Sequence, residues 1–450
     1  MDSQTIVAPM TPMGVSAVAA LRVSGSRVRN VVESLFGSKA AKGLEPRKAC
    51  LGTARDPQSG KVLDSLLYIY FESPNSYTGE DVLELYPHGN PLIVRDLLQT
   101  IRSIDGVRLA EPGEYTRRAF LNGKMDLTQA ESVADVIHSA NRAELENAHR
   151  LLSGALSKKI ATLSAQVKDI SARLELDVDF AEEEADPDFA GWETRFVSIR
   201  ESIQQILNSF RGKAALSRLP LAVLYGAPNA GKSSLVNALL GEDRVLVSNV
   251  PGTTRDFVEV RLFLDGGEIR LVDTAGIADK ATDELDALSM KKSKEILEEA
   301  DLKILLVDST DEGQKATAAE GESAPDFTVY SKCDLVSSEQ IVGQIREGSI
   351  RISSKTGAGL AELKKVMNAA LFKKNENQED LWITSEREKA CLEDALAGVN
   401  RVLNLLKTNP AVELLAFEMQ LVRRALQSIT GEISSEDILQ SIFAGFCIGK

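Results

Sequence analysis

Residues 221–240 read LAVLYGAPNAGKSSLVNALL, and this stretch decides the fold. LAVLY is a strand pattern, SLVNALL opens an apolar helix, and between them lies Gly226-Ala-Pro-Asn-Ala-Gly231-Lys232-Ser233. Strand, glycine loop and helix in that order make a phosphate loop. The glycines let backbone amides wrap a β-phosphate, Lys232 reaches the β/γ oxygens, and the Ser233 hydroxyl ligates magnesium. Downstream, RLFLD (261–265), EIRLVDT (268–274), KILLVDS (303–309), DFTVYSK (326–332) and SIRISS (349–354) alternate with loop and helix patterns. That alternation predicts an α/β sheet with crossover helices.

Asp273-Thr-Ala-Gly276 ends a strand 47 residues after Gly226. There an aspartate reaches magnesium through water and a glycine amide meets the γ-phosphate. Gly252-Thr253-Thr254-Arg255-Asp256 lies between the two, and its threonines ligate magnesium only while the γ-phosphate is present. Guanine choice falls to Ser331-Lys332-Cys333-Asp334. Asp334 accepts from N1–H and the exocyclic amine of guanine, whereas adenine offers a bare acceptor and an inverted amine. Ser353-Ser354-Lys355 supplies a backbone amide for the guanine oxygen. The expected nucleotide is GTP, with Asn229, Ala230, Gly231 and Ser234 among its loop contacts.

Three positions depart from the usual pattern. Ser331 stands where Asn is usual; it is shorter, and the expectation is that it reaches neither base nor phosphate loop, a loss of about 1 kcal/mol that weakens affinity several-fold. Ile277 follows Gly276 in place of a water-orienting glutamine, which leaves Asp283, Glu284 and Asp286 as candidates to hold the attacking water. No arginine is placed as a built-in finger. Asn229 offers a side-chain carbonyl for a monovalent cation beside the β/γ bridge, where it would supply the missing positive charge.

The flanks of this module read differently. Residues 1 to about 118 mix short apolar runs with turn signals, as in IVAP, SLLYIYF and VLELYPHGN, the pattern of a compact α+β domain. From residue 127 a helical period runs for some fifty residues almost free of Gly and Pro, and an acidic loop follows at 177–188, DVDFAEEEADPD. Helical patterns return at 386–406 and 412–431, after the polar linker FKKNENQED. Helices on both sides of an autonomous α/β module imply an insertion, with the two helical pieces joined in space. The expected division is 1–118, 119–215, 216–373 and 374–450.

With 52 Lys and Arg against 66 Asp and Glu, the net charge of −14 excludes a blanket basic RNA binder, so RNA contact needs a local patch or a partner. No apolar run approaches the length of a membrane span, and MDSQTIVAPMTP lacks the form of a secretory signal, so a cytoplasmic protein without membrane contact is expected. Four scattered cysteines and three histidines form neither a disulfide framework nor a metal cluster.

The chain resembles the MnmE (TrmE) family of tRNA-modifying GTPases from end to end. The likeness rests on GAPNAGKSSLVNAL, GTTRD and DTAG in the module, on PNSYTGEDVLEL (74–85) and AEPGEYTRRAFLNGKMDLTQAE (110–131) before it, and on the terminal FCIGK. The implied fold is multidomain α+β and α/β: an N-terminal α+β folate-binding and dimerisation domain, a discontinuous helical bundle, and an inserted P-loop GTPase domain of the Ras-like type. The implied function is GTP hydrolysis in a homodimer that, with an FAD-dependent MnmG partner, adds a (carboxymethyl)aminomethyl group to C5 of wobble uridine 34 of certain tRNAs. The carbon comes from a tetrahydrofolate derivative, in the 5-formyl or 5,10-methylene form.

The resemblance implies residue roles as well. Folate contacts map onto Arg22, Glu80, Lys124 and Lys450. Potassium maps onto Asn229, Ser248, the Val250 carbonyl and Thr253, and magnesium onto Ser233 and Thr254. The family's water-orienting glutamate corresponds to Asp286, after one inserted residue and with a shorter side chain, and Ala227 replaces a common arginine. Cys447 is a candidate nucleophile whose thiolate would attack C6 of uridine or carry a methylene. Only Lys450 is near it in sequence to lower its pKa, and proximity to folate is the preferred reading of its role. A ribosome-assembly GTPase of the Era or Der kind is the rival class, and the basic RNA-binding appendage that would favour it is not evident.

Overall fold

The computed structural model describes residues 4–179, 189–212, 218–242, 258–273, 295–310, 324–336, 349–372, 381–408 and 411–450. Contacts group the chain into two compact units where the sequence suggests three parts. The first holds Met1–His138, Asn147–Phe210 and Leu381–Lys450, and the second holds Ser139–Glu146 and Arg211–Asp380.

In the first unit, strands β1 (Thr5–Pro9), β2 (Ser16–Val18), β3 (Leu21–Ser24), β4 (Ala49–Arg55), β5 (Val62–Phe71), β6 (Val82–Tyr86), β7 (His88–Gly89) and β8 (Val107–Leu109) alternate with helices α1 (Val28–Phe36), α2 (Ser38–Lys42), α3 (Pro91–Arg102) and α4 (Glu114–Leu121). Six strands form one sheet in the order β4-β5-β6-β3-β1-β8, while β2 and β7 make a separate ribbon. Neighbours run antiparallel except β1 and β8.

Register decides which side chains meet. Leu21 and Val23 of β3 join Val7, Leu83, Leu85 and the apolar faces of α1 and α3 in one core. Successive side chains in a strand point to opposite faces, so Arg22 and Ser24 emerge on the other side. Their partners there are Ala8 and Ile6 of β1 and Glu84 and Val82 of β6. Ile6, Ala8 and Ala110 pack on Tyr115 of α4, whose hydroxyl donates to the Arg22 carbonyl at 2.6 Å.

The rest of this unit is helical: α5 (Leu127–His138), the later part of α6 (Arg142–Leu152), α7 (Ala155–Asp179), α8 (Phe189–Asn208), and the helices Glu386–Leu406, Val412–Thr430 and Glu436–Ala444. Apolar side chains at helical spacing on α7, α8 and the helices Glu386–Leu406 and Val412–Thr430 share one core, so the two helical stretches of sequence do meet. Leu127, Ala130 and Val133 of α5 pack on Leu439, Phe443 and Phe446.

The second unit has a six-stranded sheet, β10-β11-β9-β12-β13-β14, built from β9 (Leu221–Tyr225), β10 (Val258–Leu264), β11 (Gly267–Asp273), β12 (Leu302–Asp308), β13 (Phe327–Ser331) and β14 (Ile350–Arg351). β10 and β11 form an antiparallel hairpin and the others run parallel. Helices Lys232–Glu242 and Leu360–Leu371 cover it. Residues 139–146, expected with the helical part, group here because Glu268 N donates to Ala140 O and Arg142 N to Gly266 O, which adds a backbone bridge to the hairpin turn. The chain leaves β9 for β11 on one side and β12 on the other, and a ligand cleft is expected at the carboxyl ends of strands at such a switch point.

Candidate functional site

Every expected nucleotide residue that the structure describes lies at the carboxyl end of one of these parallel strands. Gly226 follows β9, Asp273 ends β11, Asp308 ends β12, Ser331 ends β13, and Ser353 follows β14. The loop after β9 needs its glycine. Gly226 has φ +140°, and a Cβ there would stand 2.3 Å from the Leu306 carbonyl oxygen of β12. Gly231 (φ +95°) and Asn229 (φ +63°) also hold left-handed backbone, and asparagine is one of the few side chains that tolerates it.

Lys232 opens its helix almost fully buried, and its Nζ donates to the carbonyls of Gly226 and Ala227, both at 2.8 Å. The ammonium is thus fixed across the mouth of the loop. Ser233 Oγ donates to Asp273 Oδ2 at 2.6 Å, so the two expected magnesium-side groups are adjacent. A hydroxyl and a carboxylate at the amino end of a helix are oxygen donors of the kind magnesium takes.

At the base-recognition end, Asp334 Oδ1 accepts from Ser353 Oγ at 2.7 Å, and this bond holds the carboxyl below the usual carboxylate range. The ionised form, the one able to accept from guanine, is therefore favoured. Lys332 Nζ pairs with Asp308 Oδ2 at 2.6 Å. Burial alone would push the Asp308 carboxyl up, but the Lys332 ammonium and the Thr310 N–H and hydroxyl outweigh it and hold the acid low.

Ser331 corrects an expectation. Its Oγ lies 2.6 Å from the Ala230 carbonyl oxygen, with Val307 O at 3.2 Å, so it does reach the phosphate loop. The short side chain suffices because the loop runs beside it: even a Cβ added at Gly231 would come into van der Waals contact with Ser331 Oγ, at 3.8 Å. Ser248, Val250, Thr253, Thr254, Gly276 and Asp286 lie outside the described residues.

A second constellation occupies the sheet face of Arg22 in the first unit. Arg22 is 7% exposed; its Nε and Nη2 donate to Glu84 Oε1 at 3.1 and 2.8 Å, and its guanidinium lies over Tyr77 and Tyr115. Nη1 is buried with no hydrogen-bond partner among the described residues. Tyr86 donates to Glu84 Oε2, and burial with that carboxylate pushes its phenol up to about 12. Burial, then the positive charge of Arg22, lowers the pKa of Lys450. Gly449 (φ +98°) holds this tail on β1, where a Cβ would stand 2.2 Å from Pro9 O.

Glu80 accepts from Ser24 Oγ at 2.7 Å and from Arg118 Nη1 at 3.1 Å on both oxygens. Lys124 lies beside Gly79 and donates to Pro74 O at 2.8 Å. Glu80 is thus tied to Ser24 on the strand of Arg22, Lys124 lies beside the neighbouring Gly79, and Lys450 is within electrostatic reach of Arg22. Cys447 is exposed, with His138 Nε2 4.0 Å from its sulfur.

Glu84, Arg118 and Asp308 went unmarked in the sequence. Strand pairing puts Glu84 opposite Arg22, and no spacing rule shows that before the register is known. For Asp308 a signal exists, an aspartate at the carboxyl end of the apolar strand LKILLVD.

Residues 127–447 match the family described as MnmE helical domain, and residues 5–124 match GTP-binding protein TrmE N-terminus. Over its whole length the chain is 38% identical to 99% of a protein named tRNA modification GTPase MnmE in Dichelobacter nodosus. It is 37% identical to all of the protein so named in Methylobacterium radiotolerans and 38% identical to all of that in Syntrophus aciditrophicus. Among solved structures, the G domain of the T. maritima FeoB iron transporter is 25% identical, covering 34% of this chain and 99% of that one with a TM-score of 0.24.

Proposed function

Because the chain belongs to the MnmE family of tRNA modification GTPases, and so is an enzyme that hydrolyses GTP, we propose that it couples that hydrolysis to building a (carboxymethyl)aminomethyl group at C5 of wobble uridine 34. The proposed co-substrate is a tetrahydrofolate derivative held on the Arg22 face of the sheet, and the proposed partner is an MnmG-type flavoprotein.

The observation that carries the folate half is Arg22 Nη1. A buried guanidinium N–H without an acceptor costs free energy unless a ligand oxygen or nitrogen meets it, and the glutamate tail and pterin of a folate offer both. Tyr77 and Tyr115 border the same cation with aromatic faces. Glu80, Lys124 and Lys450 complete the proposed contacts.

In the second unit, Lys232 would meet the β/γ oxygens, Ser331 holds the loop to the base strand, and Asp334 selects guanine. Ser233 and Thr254 would hold magnesium, with Asp273 behind Ser233; the ion neutralises charge on the phosphate oxygens. Asn229, Ser248, the Val250 carbonyl and Thr253 are the proposed potassium shell, and Asp286 the proposed water-positioning group. The proposed homodimer draws support from the sheet edge: Leu51 on the edge strand β4 faces Leu67 on β5, and both are exposed. The three-part division of the chain at residues 118, 215 and 373 belongs to the same reading, as does a cytoplasmic location. No helix among the described residues is long and apolar enough to cross a membrane.

Nucleoside analysis of tRNA from cells lacking this chain tests the proposal. The expected result is loss of the C5 group at uridine 34, restored by the wild-type chain and not by Arg22→Ala. Unchanged modification defeats it.

A further inference from the structure

His138 ends α5, and its Nδ1 lies 2.9 Å from the carbonyl oxygen of Ala134, one turn earlier on the same helix. A carbonyl oxygen only accepts, so Nδ1 carries the hydrogen. That fixes the tautomer: Nε2 keeps its lone pair, and what Nε2 faces at 4.0 Å is the sulfur of Cys447. The thiol is thus the donor and the imidazole the acceptor. A helix carboxyl end also favours positive charge on the ring.

We propose that His138 is the proton acceptor and positioning residue for Cys447, and that the two form a thiolate–imidazolium pair open to a carbon electrophile. The S–H bond breaks, its electron pair stays on sulfur, and the proton goes to Nε2. The groups facing this pair are consistent with it. Lys450 of the same tail is close enough to interact with the charges of Cys447, Arg22 and Glu84. On α5, Asp135 is engaged by the Thr384 hydroxyl at 3.0 Å, and Glu436 of the preceding helix is paired with Arg117. An independent observation marks the neighbourhood as a ligand site: Arg22, 7% exposed, keeps Nη1 unpartnered among the described residues, and Lys450 interacts with both its charge and that of Cys447. The inference rests on the tautomer and the distance, and it stands whether or not folate binds there.

Alkylation of the full chain by iodoacetamide, read by mass spectrometry of the peptide bearing Cys447 from pH 5 to 10, tests it. Sulfur displaces iodide, so the rate follows the thiolate. A thiolate of lower pKa is also a weaker nucleophile, with a Brønsted slope of about 0.4–0.5. In His138→Asn, which still donates to Ala134 O, the midpoint of the profile should rise by about one unit, with the rate at pH 7 falling about threefold and the plateau at pH 10 rising about threefold. The two curves therefore cross. Cys391 serves as the internal control, since burial pushes its thiol up and its profile should be the same in both proteins. Coincident profiles, or one factor at every pH, overturn the proposal, because a change in access scales the whole curve. Should His138→Asn fail to fold, His138→Gln gives the same reading: its amide accepts the thiol hydrogen but takes no proton.

Discussion

Ser331 Oγ lies 2.6 Å from the carbonyl oxygen of Ala230, so one hydroxyl ties the strand that carries the guanine-recognition residues to the loop that holds the phosphates. Ser331→Ala removes this donor in a buried setting, and a lost hydrogen bond of about 1 kcal/mol weakens GTP binding about fivefold. Ser331→Asn keeps a donor toward Ala230 and adds one toward the base, so affinity should rise. Titration with a fluorescent GTP analogue separates the three proteins; equal affinity in Ser331→Ala would show that the tether carries nothing.

Asp334 is held ionised by Ser353. A carboxyl below its usual range keeps its accepting form as pH falls, so guanine binding should persist through about pH 4 and be lost only beneath it. In Ser353→Ala the carboxyl returns toward its ordinary value. The acid limb of GTP affinity should then begin at a higher pH than in the wild type, a shift read from affinity measurements carried from about pH 6 down to about pH 3.

Glu114 of α4 is 5% exposed and takes both Arg108 Nη1 and Nη2 at 2.7 Å, Arg118 Nη2 at 2.8 Å and the Glu111 N–H at 2.9 Å. Burial pushes this acid up, but the donors outweigh it and the net direction is down. Its stabilisation is complete above the unfolded value near pH 4.3 and fades as pH falls through the lower folded value. Glu114→Gln leaves Arg118 its pairing with Glu80 but removes the charge that Arg108 and Arg118 share, at a cost of about 1.5–3 kcal/mol. Urea unfolding at pH 7 and at pH 3 should show a large gap between the two proteins at pH 7 that narrows in acid.

Two glycines of the second unit, Gly226 and Gly241, make a paired test. Gly226→Ala forces a Cβ to 2.3 Å from Leu306 O at φ +140°, with strain of order 1–3 kcal/mol before the clash is relieved. Gly241, in the helix Lys232–Glu242, has no atom of the described residues within 4 Å of its would-be Cβ, so Gly241→Ala should stabilise by about 0.5–1 kcal/mol. Thermal unfolding should move in opposite directions, and only Gly226→Ala should lose protection by GTP.

The α/β unit was legible because its signal is local. LAVLY, KILLVDS and DFTVYSK are strands as read, and the phosphate loop sits where a strand–glycine–helix order puts it. The two helical stretches were likewise paired correctly, since neither buries its apolar face alone. What stayed hidden depends on partners distant in sequence. The reach of Ser331 depends on how closely Gly231 passes it, Glu84 becomes a partner of Arg22 only through strand register, and His138 meets Cys447 across some three hundred residues. Residues 139–146 were misplaced for the same reason, because their backbone bonds to a hairpin turn leave no compositional trace.

The segment that Gly449 pins against Pro9 makes the Arg22 face a composite of distant parts of the sequence. Arg22 and Lys450 stand more than four hundred residues apart in sequence, and the electrostatic reach of one to the other exists only when the segment around Gly449 lies on β1. The nucleotide loop and its Lys232 contacts involve none of that segment, so detaching it alone would take the thiol of Cys447 and the ammonium of Lys450 from the Arg22 face and leave the geometry of Gly226 and Lys232 as it is.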